Sequence, residues 1–299
     1  MRERTGAGRD GGGRAEWGLT APSLLWLAAF FAVPTLLVTA YSFRPPDPYG
    51  GLGEGWTLDT WRRLQDPAYR QVAWRTLWLS VAATVICLGL ALPAAYAMAR
   101  SHPSWRRIWL LLVIIPFWTN FLIRVFAWKV LLHPDGWAKW LLTSAGIADP
   151  ETLLLYRPEA VLLVLVYTYL PFAILPIFAA AEKFDFQLLE AAQDLGASRI
   201  RSLWSVFLPG IRRGLLTAAL VVFIPALGSY VIPDILGGTS SEMIGNKIAQ
   251  RVFVDRNLPE ASALSATLVL AVVLPMLVVL AVQLRSRPPA AGHLPTEGP

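Results

Sequence analysis

The polar stretch EAAQDLGASRIRSLWSVFLP occupies residues 190–209, between two long apolar segments of the chain. Residues Gln187–Leu195 have the composition of a short helix, and Gly196 suits the left-handed position that ends such a helix. Ser198 can cap a second helix, which should run until Pro209 breaks it. The stretch therefore predicts two short helices joined at a glycine.

The first of these helices has an apolar side and a polar side, and Asp185 is placed to cap it. The apolar side carries Leu188, Leu195 and either Ala191 or Ala192. The polar side carries Glu190, Gln193 and Asp194. Two interpretations follow. Either this is an amphipathic helix packed under a bundle, or it is part of a compact knob whose alanines insert into a cleft on another protein.

The composition of the whole chain is that of a membrane protein. Of its 299 residues, 55% are hydrophobic and 15% are charged, whereas a soluble domain has about 25% charged residues. Six apolar blocks are long enough to cross a bilayer as helices, at about 19–43, 76–99, 108–132, 153–181, 215–236 and 262–284. Because helices satisfy their own backbone polar groups in lipid, we predict an all-α, polytopic protein with six transmembrane helices.

Each block contains at least one proline. These prolines either kink the helices around a translocation path or reflect the general frequency of proline in transmembrane helices. The second block is rich in alanine, which favours close helix packing. The first block exceeds the apolar core of a signal peptide, so we expect it to be retained.

Lysine and arginine are concentrated on one side of the predicted spans. That side includes Arg2, Arg106, Arg199, Arg212 and Arg285. Four arginines in the first loop on the opposite side weaken this difference in positive charge between the two sides. The bias predicts a multi-pass protein of the cell membrane with both termini in the cytoplasm. It also explains the net charge of +6, so the bilayer is the expected partner and a nucleic acid is not needed.

The sequence predicts one transmembrane domain, residues 19–285, with a cytoplasmic loop at about 182–213. Residues 1–18 and 286–299 are expected to be disordered cytoplasmic tails. The first external loop should contain a short helix capped by Thr57 and stopped at Asp66. This helix lies on the membrane surface or forms a ledge for an external protein.

Motifs for catalysis by this chain are missing from the sequence. Cys87 stands alone inside an apolar block, and His102, His133 and His293 lack metal-ligand spacing. The chain has no G-x-x-x-x-G-K-[ST] phosphate loop, no G-x-S-x-G and no H-E-x-x-H. We expect no catalytic residues, no metal and no bound cofactor, with any ATP hydrolysed on a separate subunit.

The polar stretch resembles the signature loop of ABC-importer permease subunits. The shared spacing is E-A-A, three residues, Gly, nine residues, a branched apolar residue, any residue and Leu-Pro, with Val206 where the family usually has isoleucine. Three further runs, and the start of the polar stretch itself, resemble the spermidine/putrescine branch. They are PFWTNFLIRVFAWKVLL (Pro116–Leu132), ALGSYVIPDILGGTSSEMIGNKI (Ala226–Ile248) and PEASALS (Pro259–Ser265), together with LEAAQDLGAS (Leu189–Ser198).

This resemblance implies a type I ABC-importer permease fold and an assembly of several chains. A second permease subunit, an ABC ATPase dimer and an extracytoplasmic substrate-binding protein would be the partners, and a polyamine or related small solute the cargo. The implied ATPase-coupling residues are Glu190, Ala191, Ala192, Asp194, Gly196, Leu208 and Pro209. Glu190 would contact the ATPase, and Gly196 would shape the turn.

Polar residues inside the apolar blocks are candidates for a permeation path. Arg124 shares one predicted helix face with Phe117, Asn120 and Trp128, and a structural ion pair or helix contact is favoured because a bare arginine would repel a cationic solute. Asp234 attracts an ammonium group, caps a helix break or pairs with Arg124. Tyrosines offer cation–π surface or ordinary packing. The candidate path residues are Asn120, Arg124, Tyr167, Tyr169, Tyr230 and Asp234.

Two alternatives to an ATP-driven permease remain at this point. An ion-gradient-driven carrier needs paired ionisable residues and broken helices in both halves of the chain, and only Arg124 and Asp234 are available. A membrane scaffold would explain the loop but not the proline-rich spans.

Overall fold

The computed structural model describes residues 20–146, 149 and 151–285, so the predicted tails at 1–18 and 286–299 lie outside the described part. Its helices are α1 (Thr20–Tyr41), α2 (Asp59–Arg63), α3 (Pro67–Arg100), α4 (Pro103–Trp118, ending in a 3₁₀ turn), α5 (Phe121–Leu131), α6 (Trp137–Ser144), α7 (Pro158–Glu182), α8 (Gln187–Asp194), α9 (Arg199–Gly210), α10 (Arg212–Leu227), α11 (Val231–Leu236), α12 (Ile244–Phe253) and α13 (Leu258–Arg285). The described residues form no strand beyond one isolated bridge, which confirms the all-α class.

The predicted spans correspond to helices, but not all of them are single straight ones. Three helices, α1, α3 and α7, are long and apolar enough to cross a membrane alone. Two pairs pass the same test only when taken together: α4 with α5, bent by 89°, and α9 with α10, bent by 73°. The sixth predicted span lies within α13.

Residues 65–250 form one compact unit, whose core is the mutual packing of α3, α7 and α10. Small side chains on α3, including Ala83, Cys87 and Ala91, are fully buried, which confirms the predicted alanine-rich packing face. A Cβ placed on Gly214 of α10 would lie 2.4 Å from the Cβ of Ala180 on α7. These helices therefore approach one another as closely as small residues permit.

Most prolines of the predicted spans do not break a helix, although Pro116 lies in the 3₁₀ turn before one bend and Pro209 lies two residues before the other. Pro93, Pro171, Pro176 and Pro225 all lie inside continuous helices. The sharp bends fall instead at Thr119–Asn120 and near Ile211.

Residues 1–64 and 251–299 form a second unit, of which residues 20–64 and 251–285 are described. Here α1 and α2 both contact α13. The predicted short helix of the first loop is confirmed as α2, and the Thr57 hydroxyl accepts a hydrogen bond from the Asp59 amide at 3.1 Å.

Candidate functional site

The polar stretch folds into the two helices that its capping residues predict. The Asp185 carboxylate accepts a hydrogen bond from the Gln187 amide at 3.0 Å at the start of α8. Gly196 has φ +89°, and no neighbouring atom lies within 4 Å of where its Cβ would be, so conformation and not crowding favours glycine there. Ser198 caps α9 by accepting from the Arg201 amide at 3.3 Å. We call residues 187–210 the elbow.

The second helix of the elbow continues further than predicted. It passes through a π-helical segment, Leu203–Phe207, and ends at Gly210, one residue after Pro209.

The predicted apolar side of α8 is not packed under the bundle. Leu188 and Leu195 are exposed, Leu195 to 90%, while the neighbouring Leu189 is buried. On α9, Ile200 and Trp204 are also exposed, Trp204 to 68%. The predicted apolar side is therefore not the packed one, because α8 packs on its own chain through Leu189 and the elbow presents an apolar surface outward.

The predicted coupling residues lie on or beside this surface. Glu190, Ala191, Asp194, Gly196 and Pro209 are exposed, whereas Ala192 and Leu208 are half-buried. An open cleft of about 550 Å³ runs along the elbow between α3 and the two short helices. Its lining includes Glu190, Gln193 and Arg199 beside Tyr96 and Leu189.

The opposite side of the elbow rests on an aromatic cluster, formed by Tyr96, Phe184, Phe186 and Phe207. The ring of Phe207, which is almost fully buried, meets those of Tyr96 and Phe184 edge-on, each at 5.2 Å between centroids. The Phe184 ring also meets Phe186 at 5.5 Å. Since Tyr96 belongs to α3, the cluster joins the elbow to the core of its unit.

An ion pair and a hydrogen bond also connect the ends of α3, α4 and α7 that lie near the elbow. The Arg106 guanidinium of α4 forms an ion pair with Glu182 of α7 at 2.6 Å and donates to the Ala99 carbonyl of α3 at 2.9 Å. Sequence reasoning missed both this link and the aromatic cluster. The spacing of Phe184 and Phe186 just before α8 was the available signal.

The structure alters the arrangement predicted for the third span. Asn120 lies in the break between α4 and α5, and its side-chain oxygen accepts from the amides of Leu122 at 2.8 Å and Ile123 at 3.4 Å. The predicted continuous helix face is therefore wrong, because Phe117 belongs to the segment before the break. The two parts nonetheless meet, since the Arg124 guanidinium lies 5.2 Å from the centre of the Phe117 ring.

Aromatic residues on α7 face this break. The Phe172 ring meets Phe117 at 4.9 Å, and the Tyr167 ring meets Trp128 of α5 at 5.2 Å, both edge-on. The Tyr169 hydroxyl donates to the Pro225 carbonyl at 3.2 Å and so joins α7 to α10. Tyr167 therefore faces α5, whereas Tyr169, two residues later, faces α10, so the path candidates on α7 do not share one side of that helix.

The remaining path candidates lie on and beside α11, which packs against α5 and α7. Tyr230 and Asp234 are both exposed. The predicted Arg124–Asp234 pair is not formed between these two described residues, because Arg124 lies over an aromatic ring and Asp234 projects from the surface. Within the described ranges no three His, Cys, Asp or Glu side chains cluster as a metal site would require.

The sequence of the chain matches a known protein family. Residues 89–288 match the model of the family described as binding-protein-dependent transport system inner membrane component.

Curated relatives are similar over most of the chain. The spermidine/putrescine transport system permease protein PotB of Haemophilus influenzae is 40% identical over 240 residues, which cover 80% of this chain and 84% of that protein. PotB of Escherichia coli K12 is 36% identical over 253 residues, covering 85% and 92%. The inner membrane ABC transporter permease protein YdcU of the same organism is 32% identical over 219 residues, covering 69% and 70%.

Solved structures share the fold. A chain of a bacterial ABC transporter involved in the import of the acidic polysaccharide alginate superposes with a TM-score of 0.69, at 18% identity, over 92% of this chain and 98% of that one. A chain of a bacterial alginate ABC transporter, solved in complex with an alginate pentasaccharide-bound periplasmic protein, gives a TM-score of 0.66 at 17% identity, over 91% and 94%.

Proposed function

The chain belongs to the family of binding-protein-dependent transport system inner membrane components, and from this premise we propose that its elbow is the surface on which a separate ATPase docks. The protein is a multi-pass membrane permease subunit of an ABC importer with a type I permease fold. The alternative of an ion-gradient-driven carrier working alone is therefore wrong.

One observation carries the docking proposal: the elbow has an exposed apolar surface and a firmly packed base. Leu195, Ile200 and Trp204 are exposed on the elbow, and so is the carboxylate of Glu190. Large apolar side chains of this kind, surrounded by polar groups, mark a surface that binds another protein. Because the aromatic cluster packs the inner side of the elbow against α3, a force that the ATPase exerts on α8 is transmitted to α3.

The proposed assembly follows from this surface. An ABC ATPase dimer binds the elbow and its counterpart on a second permease subunit, and an extracytoplasmic binding protein delivers the solute. The elbow and both chain termini then lie in the cytoplasm, as the arginine distribution predicts. ATP is bound and hydrolysed by the ATPase, so this chain itself acts without a cofactor and catalyses no reaction.

We infer that the solute is a polyamine such as spermidine or putrescine. The support is the set of PotB relatives at 35–40% identity and the chemistry of α11. Asp234 and Tyr230 project from a short helix within an apolar region, where an ionisable group must face protein or water. A carboxylate beside an aromatic ring attracts an ammonium group by charge and by cation–π interaction.

The docking proposal is tested by reversing one charge on the elbow. Glu190→Lys should leave membrane insertion unchanged, reduce co-purification of the ATPase and abolish solute uptake. Glu159→Lys is the matched control, because Glu159 is an exposed carboxylate at the other end of α7 and the same charge change there should be tolerated. Normal ATPase binding and uptake by Glu190→Lys would reject the assignment.

The solute proposal needs a separate test. Deleting the gene should lower uptake of labelled putrescine or spermidine, and a wild-type copy should restore it. Asp234→Asn should raise the KM for the polyamine without changing ATPase binding. If polyamine uptake is unchanged while uptake of another solute is lost, the importer assignment stands and the polyamine is rejected.

A further inference from the structure

Helix α6 has its charged side chain turned inward and its aromatic side chains turned outward. Lys139 is buried, and its ammonium group donates a hydrogen bond to the Thr152 carbonyl at 2.7 Å. Trp137 and Trp140 are each exposed to 63%, and Leu141 is exposed as well. A helix that faced water would present its lysine and cover its tryptophans. The medium around α6 is therefore at least partly apolar.

The turn before α6 holds this helix against the end of α5. The Gly136 amide donates to the His133 carbonyl at 2.7 Å. A Cβ on Gly136 would lie 2.5 Å from the Leu131 carbonyl oxygen and 2.6 Å from that of Val130, so a larger residue does not fit there. Because α5 belongs with α4 to a bent pair that is long and apolar enough to cross a membrane, α6 starts where a membrane-crossing segment ends.

An open cavity of about 650 Å³ lies at this junction between the two helices. Its lining includes Ala127, Val130 and Leu131 of α5, and Trp137 of α6. Val130 is exposed to 71%, so the cavity joins the exposed apolar surface of α5 to that of α6. An occupant of this cavity must therefore be apolar where it meets both helices.

A lysine side chain also lines the cavity. Lys129 lies in the last turn of α5, and among the described residues no carboxylate forms an ion pair with it. His133 lines the cavity too, but its Nδ1 lies 3.6 Å from a carboxylate oxygen of Asp135. The cavity thus combines an apolar wall with one ammonium group that no described carboxylate neutralises. An acyl chain that ends in a phosphate group has the complementary pattern.

The cavity lies at the membrane face opposite the elbow. Both belong to the compact unit of residues 65–250. Helix α7, which is long and apolar enough to cross a membrane alone, begins at Pro158 after α6 and ends at Glu182 before the elbow. Tryptophan is enriched at the level of the lipid headgroups, where its ring meets apolar and polar surroundings together. The exposed tryptophans of α6 are therefore suited to that level of the bilayer.

We propose that the cavity between α5 and α6 binds a phospholipid of the leaflet opposite the elbow. Its acyl chain packs on Ala127, Val130 and Leu131, and its phosphate pairs with the Lys129 ammonium group. A phospholipid fits better than a segment of another protein, because the cavity opens on a surface that continues from a membrane-crossing segment, where lipid surrounds the chain. The site requires neither an ATPase nor a solute, so it does not depend on the function proposed for the elbow or on the polyamine.

The occupant is identified by photo-cross-linking in the complete importer, reconstituted in phospholipid nanodiscs with solute-loaded binding protein present. Benzoylphenylalanine at position 137 should give a permease whose mass is increased by that of one phospholipid. The same residue at position 204 is the control, because Trp204 is exposed to a similar extent but lies on the elbow. An adduct of position 137 with the binding protein or the second permease, no adduct at all, or no more lipid adduct than at position 204 overturns the proposal.

Lipid retention by the purified permease tests the phosphate contact. Phosphatidylglycerol is added in equimolar amount to the permease in detergent, and the bound fraction is measured by native mass spectrometry. Lys129→Gln should weaken binding about fivefold, which is what one lysine contributes near an anionic lipid surface, whereas Lys129→Arg should retain the lipid. Lys183→Gln, which removes an exposed lysine at the other end of α7, is the control and should bind as the wild type does. Equal retention by Lys129→Gln and the wild type overturns the proposal.

Discussion

Phe207→Ala tests whether the aromatic cluster is what holds the elbow. The side chain is almost fully buried and contacts the rings of Tyr96, Phe184 and Phe186. Truncation of a buried phenylalanine costs about 3–5 kcal/mol, and this includes edge-on ring contacts of about 0.5–1.5 kcal/mol each. We expect this loss to fall on the elbow and not on the packing of α3, α7 and α10.

Hydrogen exchange measures this directly in the purified permease. A loss of about 3–5 kcal/mol corresponds to amide exchange faster by a factor of roughly 140 to 4,000 in residues 187–210, provided that the elbow opens locally. Exchange in the middle of α3 should change little. Solute uptake should fall, because the force from the ATPase would then deform the loosened elbow instead of moving α3.

Trp204→Ala is the matched control for this experiment. Trp204 lies on the same helix but is exposed, so its removal should change stability by no more than about 0.5 kcal/mol. It should instead weaken ATPase binding. If Phe207→Ala and Trp204→Ala have the same exchange pattern, the reasoning about the cluster is refuted.

Two glycines give further predictions. Gly196→Ala forces a residue with a Cβ to φ +89° and should cost about 1–2 kcal/mol of stability, whereas Gly196→Asn should cost less. Thermal unfolding and solute uptake of the two variants check this order. Equal stability of the two variants would contradict it. Gly214→Ala should separate α7 from α10, because the new Cβ would lie 2.4 Å from a side chain of α7, and should cost about 1–3 kcal/mol. Gly89→Ala is its control, since no atom lies within 4 Å of that Cβ position and the change should be neutral or stabilising. Equal melting temperatures for the variants at positions 214 and 89 would argue against close packing of these helices.

The elbow was predictable because its determinants are local. The Asp185 and Ser198 caps and the positive φ of Gly196 depend on residues within a few positions of one another, so the sequence indicated two helices and their junction. The sequence did not decide which side of α8 packs against the bundle, because its predicted apolar side was open to two interpretations. Its exposure follows from Phe207 and Tyr96, which are distant in sequence and fix the opposite side of the elbow to α3.

The third span shows the same division between local and distant determinants. Its apolar composition predicted a membrane segment, but the polar pair Thr119–Asn120 did not distinguish a helix break from a polar face on one continuous helix. Asn120 caps α5 with its own side chain, and the rings of Phe117 and Phe172 meet across the bend. A break of this kind is stabilised by packing against α7, which a pattern within one segment does not contain.

The sequence by itself determined the all-helical membrane class, the family signature and the shape of the elbow, because hydropathy, residue spacing and capping are properties of neighbouring residues. The tertiary structure alone decided which side of the elbow faces outward, how the third span divides, and that the first loop bonds to the turn at Arg256. Each of these depends on contacts between distant segments, whose free energy is gained only when the helices pack.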